Sequence, residues 1–191
     1  MAGDPVEKPR PASYADLEAV PDHLVAEIVD GTLYTHPRPS ARHARAASRI
    51  GIDLGGAFDR ARTGPGGWVI LDEPALHLGP DPDVLVPDLA GWRRERMPEI
   101  PDVAAFTQAP DWVCEVLSPS TEADDRAVKA PVYAREGVLH MWLLNPLLHT
   151  LEVYRLQGQA WLLVTTHRDN EQVHAEPFDA VELDLAALWE L

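Results

Sequence analysis

Apolar and polar positions change period several times along the chain. Val25-Ala-Glu-Ile-Val-Asp30 and Thr32-Leu-Tyr-Thr35 are short runs joined at Gly31, which predicts two strands about an Asp-Gly turn. Before them, Ser13 to Glu18 opens on a capping-type serine and predicts a short helix. After a proline-containing loop from His36 to Ser40, the spacing lengthens. Ala44, Ala47, Ile50 or Gly51, Leu54 and Phe58 recur three and four apart, which predicts a helix over 41–61. Arg42, Arg45, Arg49 and Asp53 lie mostly off that stripe, and Gly64-Pro-Gly-Gly67 ends it. Trp68 to Leu71 predicts a strand, with Pro74 to Leu78 extending the pair. Asp81-Pro-Asp83 turns the chain into Val84-Leu-Val86, Pro87-Asp88 interrupts, and Leu89 to Trp92 resumes.

A charged, proline-spaced loop from Arg93 to Gln108 leads to the apolar strand Trp112 to Leu117. A helix follows over 122–135, closed by Gly137. Val138 to Leu144 is strongly apolar. Leu151 to Arg155 alternates, as a half-buried antiparallel strand does, and Gln157-Gly158 turns into a strand from Ala160 to Thr166. The end of the chain predicts a last strand and a short helix around Leu185 to Trp189. Strands dominate the middle and end, with two main helices packed on them. The expected class is α+β with a mixed sheet flanked by helices.

With 191 residues, the chain reads as a loose proline-rich arm over 1–12 and a single domain over 13–191. No apolar run is long enough to span a bilayer and the N-terminus lacks the apolar stretch of a signal peptide. One cysteine, Cys114, permits no disulfide within the chain. A cytoplasmic location is expected. The formal net charge of −15 gives no basic footprint for nucleic acid, so such binding would need local features or a metal.

Candidate chemistry begins with acids in apolar surroundings. Glu73, Asp88 and Glu115 each adjoin a strand-like run. A carboxylate inside an apolar strand is costly unless a cation or donor offsets it. If their strands are neighbours, Asp88 and Glu115 converge, and paired carboxylates suit a hard cation such as Mg²⁺. Lys129, four residues after Asp125, shares its helix face and taken alone reads as a surface partner of that acid. Turned toward Glu115, its ammonium could orient a water or stabilise charge on phosphorus. Cys114 alternates away from Glu115 and reads as a buried, inert thiol. Ser118 and Ser120 lack a Gly-x-Ser-x-Gly elbow, so a serine hydrolase is rejected. The eight histidines show no zinc spacing.

Pro87-Asp88, Glu115-Val-Leu-Ser-Pro-Ser-Thr121, Asp125, Lys129, Tyr133, Gly137-Val138 and Trp142, in this order, resemble the Uma-two (Uma2) family. Glu27-Ile-Val-Asp-Gly-Thr-Leu33, His43 and Leu151 to Arg155 extend the resemblance over most of 14–191. This large bacterial group falls in the PD-(D/E)XK superfamily, whose fold is the restriction-endonuclease-like core. The resemblance implies a metal-dependent endonuclease that hydrolyses phosphodiester bonds of nucleic acid, with DNA the first expectation and RNA left open. It implies Asp88 and Glu115 as ligands of Mg²⁺, or Mn²⁺ in its place, with Glu27 and Glu73 as further metal-holding acids. The superfamily lysine two residues after Glu115 is replaced by Leu117, and Lys129 on the next helix takes its place. Pro131 then sits one turn into that helix and would kink it near Lys129. Arg42, His43 and Arg126, near helix starts, are expected to meet phosphates, although a helix-start histidine such as His43 is more often a cap or a partly buried donor. Tyr133 and Trp142 read as core. The alternative is a catalytically silent module of the same fold, acting in DNA-associated or protein–protein interaction. A homodimer through an edge strand or the Val138 to Leu144 region is open to either.

Overall fold

Two sheets share the work of placing the cleft. The computed structural model describes residues 10–60, 64–81 and 83–190. Most of the expected N-terminal arm, residues 1–9, lies outside the described residues, as do Ala61 and Pro82. Helix α1 (Tyr14–Glu18) is capped by Ser13, whose backbone N–H donates to Asp16 at 2.8 Å. Strands β1 (Leu24–Val29) and β2 (Thr32–Pro37) pair antiparallel. Asp30 and Gly31 between them have φ of 47° and 71°, the double positive φ of a tight hairpin turn.

Helix α2 (Ala41–Leu54) continues into a π-helical turn over Gly55–Asp59. Its buried stripe is His43, Ala46, Ala47, Ile50, Leu54 and Phe58, whereas Ala44 is exposed. The expected stripe was therefore slightly rotated at its first turn: His43 replaces Ala44, because the ring is drawn to a carboxylate described below. Then follow β3 (Trp68–Asp72), β4 (Leu76–Leu78), β5 (Asp83–Leu85) and β6 (Leu89–Arg93). β4 does not extend the β3 pair. It pairs with β5 in a four-stranded sheet of order β2-β1-β5-β4, while β3 pairs with β6 in another. Glu73, in a left-handed conformation with φ 45°, turns the chain from one sheet to the other.

The larger sheet is completed by β7 (Trp112–Val116), β8 (His140–Asn145), β9 (Thr150–Gln157) and β10 (Ala160–Arg168), in the order β10-β9-β8-β7-β6-β3. Only β7 and β8 are parallel within it. Their crossover is helical: α3 (Glu122–Asp124), a π turn over Asp125–Lys129, and α4 (Ala130–Arg135), ended by Gly137 at φ 77°. The tail adds the short pair β11 (Gln172–Val173) and β12 (Leu183–Asp184), then α5 (Ala186–Trp189).

The sheet separates two apolar clusters. One holds Ile50 and Leu54 of α2 with Trp112, Cys114 and Val116 of β7 and Phe178 of the tail. The other holds Val113 and Leu117 with Val132 and Tyr133 of α4 and Leu76 and Leu85 of the small sheet. Alternation along β7 thus feeds both sides. Among the described residues, no helix is long and apolar enough to cross a membrane.

Candidate active site

Strand register brings the two expected acids together. Leu89 of β6 pairs with Cys114 of β7. One further step of that antiparallel register sets Asp88 opposite Glu115. Pro87 before Asp88 ends the run that began in β5, so the chain leaves the small sheet and enters the large one at the aspartate. Asp88 Oδ2 accepts a hydrogen bond from the Val116 N–H at 2.7 Å. Its Oδ1 lies 2.6 Å from His43 Nε2, which donates to it.

Glu115 is 1% exposed and Lys129 is 7% exposed. Lys129 Nζ is 2.9 Å from Glu115 Oε2, 2.7 Å from Asp125 Oδ1 and 3.7 Å from Glu27 Oε1. The Asp125–Lys129 pair is therefore present as the four-residue spacing suggests, but inside the protein and not on its surface. Both residues fall within the π turn and both are buried. Pro131, which lacks an N–H, follows after Ala130, so the distortion expected there is a widened turn preceding the proline. Tyr133, one turn further, donates its hydroxyl to Glu115 Oε1 at 2.6 Å. It is buried as expected of a core residue, yet its polar end belongs to the site.

Burial pushes the Glu115 carboxyl well above the ordinary carboxylate range. Lys129 pulls it back, while Asp125, Asp88 and Glu27 push it further up. Burial works against the Lys129 charge, but Glu115, Glu27 and Asp125 outweigh it and hold the ammonium above its usual value. One lysine facing three carboxylates stays cationic, and the surplus charge falls on the acids. Burial also raises the Tyr133 phenol, so it remains a donor.

These groups open on one cavity of about 450 Å³. Its lining includes Glu27, His43, Asp88, Glu115, Asp125 and Lys129. Ser118, Ser120 and Thr121 form part of its rim, their hydroxyls linked at 2.9 and 3.0 Å through Ser118. Cys114 points to the other face, and burial raises its thiol, which leaves it unreactive.

The remaining expected site residues fall elsewhere in role. Glu27, in β1, accepts from the Val86 N–H at 2.8 Å with Oε1, the oxygen that also faces Lys129, so it braces the lysine and the small sheet. Glu73 is exposed on its turn at the cavity margin and is not in a strand. Arg126 is taken by Glu152 in a two-pronged pair at 2.7 and 2.9 Å and by Glu122 at 3.0 Å. A phosphate would have to displace those carboxylates. His43 meets the Asp88 carboxylate. Arg42 is partly exposed on the first turn of α2. Sequence reasoning did not assign Tyr133 and His43 these contacts. The available signal for Tyr133 was its four-residue step from Lys129.

The cavity's oxygen donors are of the type a hard divalent cation takes. Every candidate ligand is a carboxylate oxygen, and Glu27, Asp88, Glu115 and Asp125 outnumber the one lysine among them. Among the described residues, no three of His, Cys, Asp or Glu form a ready-made metal cage. Two carboxylates with water and a substrate phosphate are the usual ligands of Mg²⁺.

A family model described as "Uma2: Putative restriction endonuclease" matches residues 11–186. The fold is similar to a crystal structure described as a putative nuclease belonging to DUF820 from Anabaena variabilis. The TM-score is 0.74 and the identity 21%, over 94% of this chain and 98% of that one. No curated protein matches the sequence.

Proposed function

The chain belongs to the Uma2 family, and on that premise we propose that it is a divalent-metal-dependent endonuclease. It hydrolyses phosphodiester bonds of nucleic acid, with DNA the first substrate to test. The observation that carries this reading is the single cleft in which Asp88, Glu115 and Lys129 meet, with Lys129 Nζ 2.9 Å from Glu115. Asp88 and Glu115 would hold Mg²⁺ or Mn²⁺. When bound, the ion polarises a phosphoryl oxygen and offsets the carboxylate surplus.

The chain's own groups do the rest. Lys129 places a positive charge and N–H donors beside the scissile phosphate, where it orients the attacking water or stabilises charge on the pentacovalent phosphorus. Asp125 fixes Lys129 from below its helix turn, and Glu27 limits its swing from the small sheet. Tyr133 holds one oxygen of Glu115 and leaves the other facing Lys129. The hydroxyls of Ser118, Ser120 and Thr121 offer neutral donors at the rim, which suits an anionic substrate in an acidic protein.

The test is cleavage of single- and double-stranded DNA and RNA with Mg²⁺ or Mn²⁺, comparing wild type with Asp88→Ala and Glu115→Ala. The wild type is expected to cut, and each variant to lose about 10²–10³-fold or more. Equal residual activity in the three proteins would trace it to a contaminant and remove the reading.

A further inference from the structure

We propose that His43 is a positioning residue for Asp88, fixing the carboxylate so that its remaining lone pairs face the cation site. The inference rests on the metal-dependent reading above and adds to it a residue of α2. His43 sits three residues after the N-cap Ser40, whose hydroxyl accepts its backbone N–H. The ring is buried, and Nε2 lies 2.6 Å from Asp88 Oδ1. Because Asp88 Oδ1 is an acceptor, the Nε2 position carries the proton. The other oxygen of Asp88 is held by the Val116 N–H at 2.7 Å. The carboxylate is thus gripped from two elements, α2 and the end of β7, and its plane is set.

A second observation gives the ring its meaning. His43 Nδ1 is buried with no hydrogen-bond partner among the described residues. A buried polar atom without a partner costs stability. Packing alone would favour an apolar side chain on this face, as Ala46, Ile50 and Leu54 show further along the helix. The ring is kept for what Nε2 does. A carboxylate has about four acceptor positions, so two donors leave room for a metal. A donor on the far side of a metal ligand orients that ligand and tunes its affinity.

The experiment separates reach from polarity in the full chain. His43→Gln places an amide N–H near the Nε2 position. His43→Asn keeps the amide but falls short of Asp88. Mn²⁺ affinity is read by electron paramagnetic resonance, with melting curves alongside. His43→Asn is expected to weaken Mn²⁺ binding about 10–100-fold while His43→Gln stays within roughly threefold of wild type. Should the asparagine variant not fold, His43→Leu removes the same donor in an apolar form and is held to the same expectation. Wild-type affinity in the shortened or apolar variant overturns the proposal, as does an equal loss in His43→Gln. Asp88→Asn keeps the two failures apart. If it binds Mn²⁺ as wild type does, the cation reading fails and the role of His43 falls with it. If Asp88→Asn alone loses binding, only the positioning role is overturned.

Discussion

Cys114 and Glu115 are adjacent on β7 and equally hidden from water, yet they face opposite kinds of interior. Cys114 joins an apolar cluster built on rings. Phe58, Trp68, Trp112 and Trp142 surround Phe178 with centroids 4.8 to 5.6 Å away. Gly91 makes room for them, since a Cβ there would come within 3.1 Å of Trp112. On the other face, the same strand commits a carboxyl group to the interior and surrounds it with Lys129, Asp125 and Tyr133. Burial of the rings on the first face is stabilising. Burial on the second is offset only by pairing, and such arrangements are often no better for stability than an apolar replacement. Both sides of the sheet carry an apolar cluster, but only the second also holds a buried carboxyl, a cost that the proposed activity would explain.

The sharpest way to break this contrast is Glu115→Gln. It replaces the buried carboxyl with an amide of the same shape and leaves Lys129 its partner Asp125. Activity is expected to fall about 10²–10³-fold or more while the melting temperature stays level or rises. A variant that melts far lower yet still cuts would reverse the roles given to the two faces. Phe178→Ala tests the opposite side. It should cost about 3–5 kcal/mol in chemical denaturation. The protein that remains folded should keep its turnover, because no ring of that cluster reaches the cleft.

Tyr133→Phe lies between the two. It deletes one oxygen and leaves Glu115 Oε1 without its donor, at about 1–3 kcal/mol. Both the melting curve and kcat are expected to fall; a change in stability alone would assign the hydroxyl to the fold. The smallest effect belongs to Arg126→Ala. Pairing with Glu152 is partly exposed and contributes about 0.5–1 kcal/mol. The Arg126 hydrogen bonds hold the Glu152 carboxyl below its usual range. The folded state therefore binds this proton less readily than the unfolded chain. The contribution is complete above the ordinary carboxyl pKa and disappears as pH falls through the lowered one. KM for nucleic acid is expected to be unchanged. A raised KM would restore Arg126 as a phosphate ligand.

What the sequence made legible was local. The Asp30-Gly31 turn, the alternation of Leu151 and Val153, and the break at Pro87-Asp88 each carry their cause within a few residues. The order of Asp88, Glu115 and Lys129 was readable too, because a resemblance spans all three. Contacts between distant segments were not. Nothing near Leu76 says that it leaves the β3 pair for β5. Glu73 and Glu27 look alike in their short apolar contexts, and only the tertiary fold buries one and exposes the other. Arg126 looks free until Glu152, on β9, is placed beside it. The partner of His43 was hidden as well, because Asp88 lies 45 residues away in sequence.

The π turn over Asp125–Lys129 has a geometric consequence. On an ideal helix, each step of four residues overshoots a full turn by about 40°, so Asp125, Lys129 and Tyr133 would fan out over about 80°. A turn that spends five residues where an α-helix spends four winds back part of that drift. Asp125, Lys129 and Tyr133 then lie nearer to one line along the helix. Lys129 meets Glu115 from the middle position and Tyr133 from the upper one, while Asp125 at the foot steadies the lysine. The widened turn thus keeps the three side chains nearer to one face than a regular helix of the same sequence would.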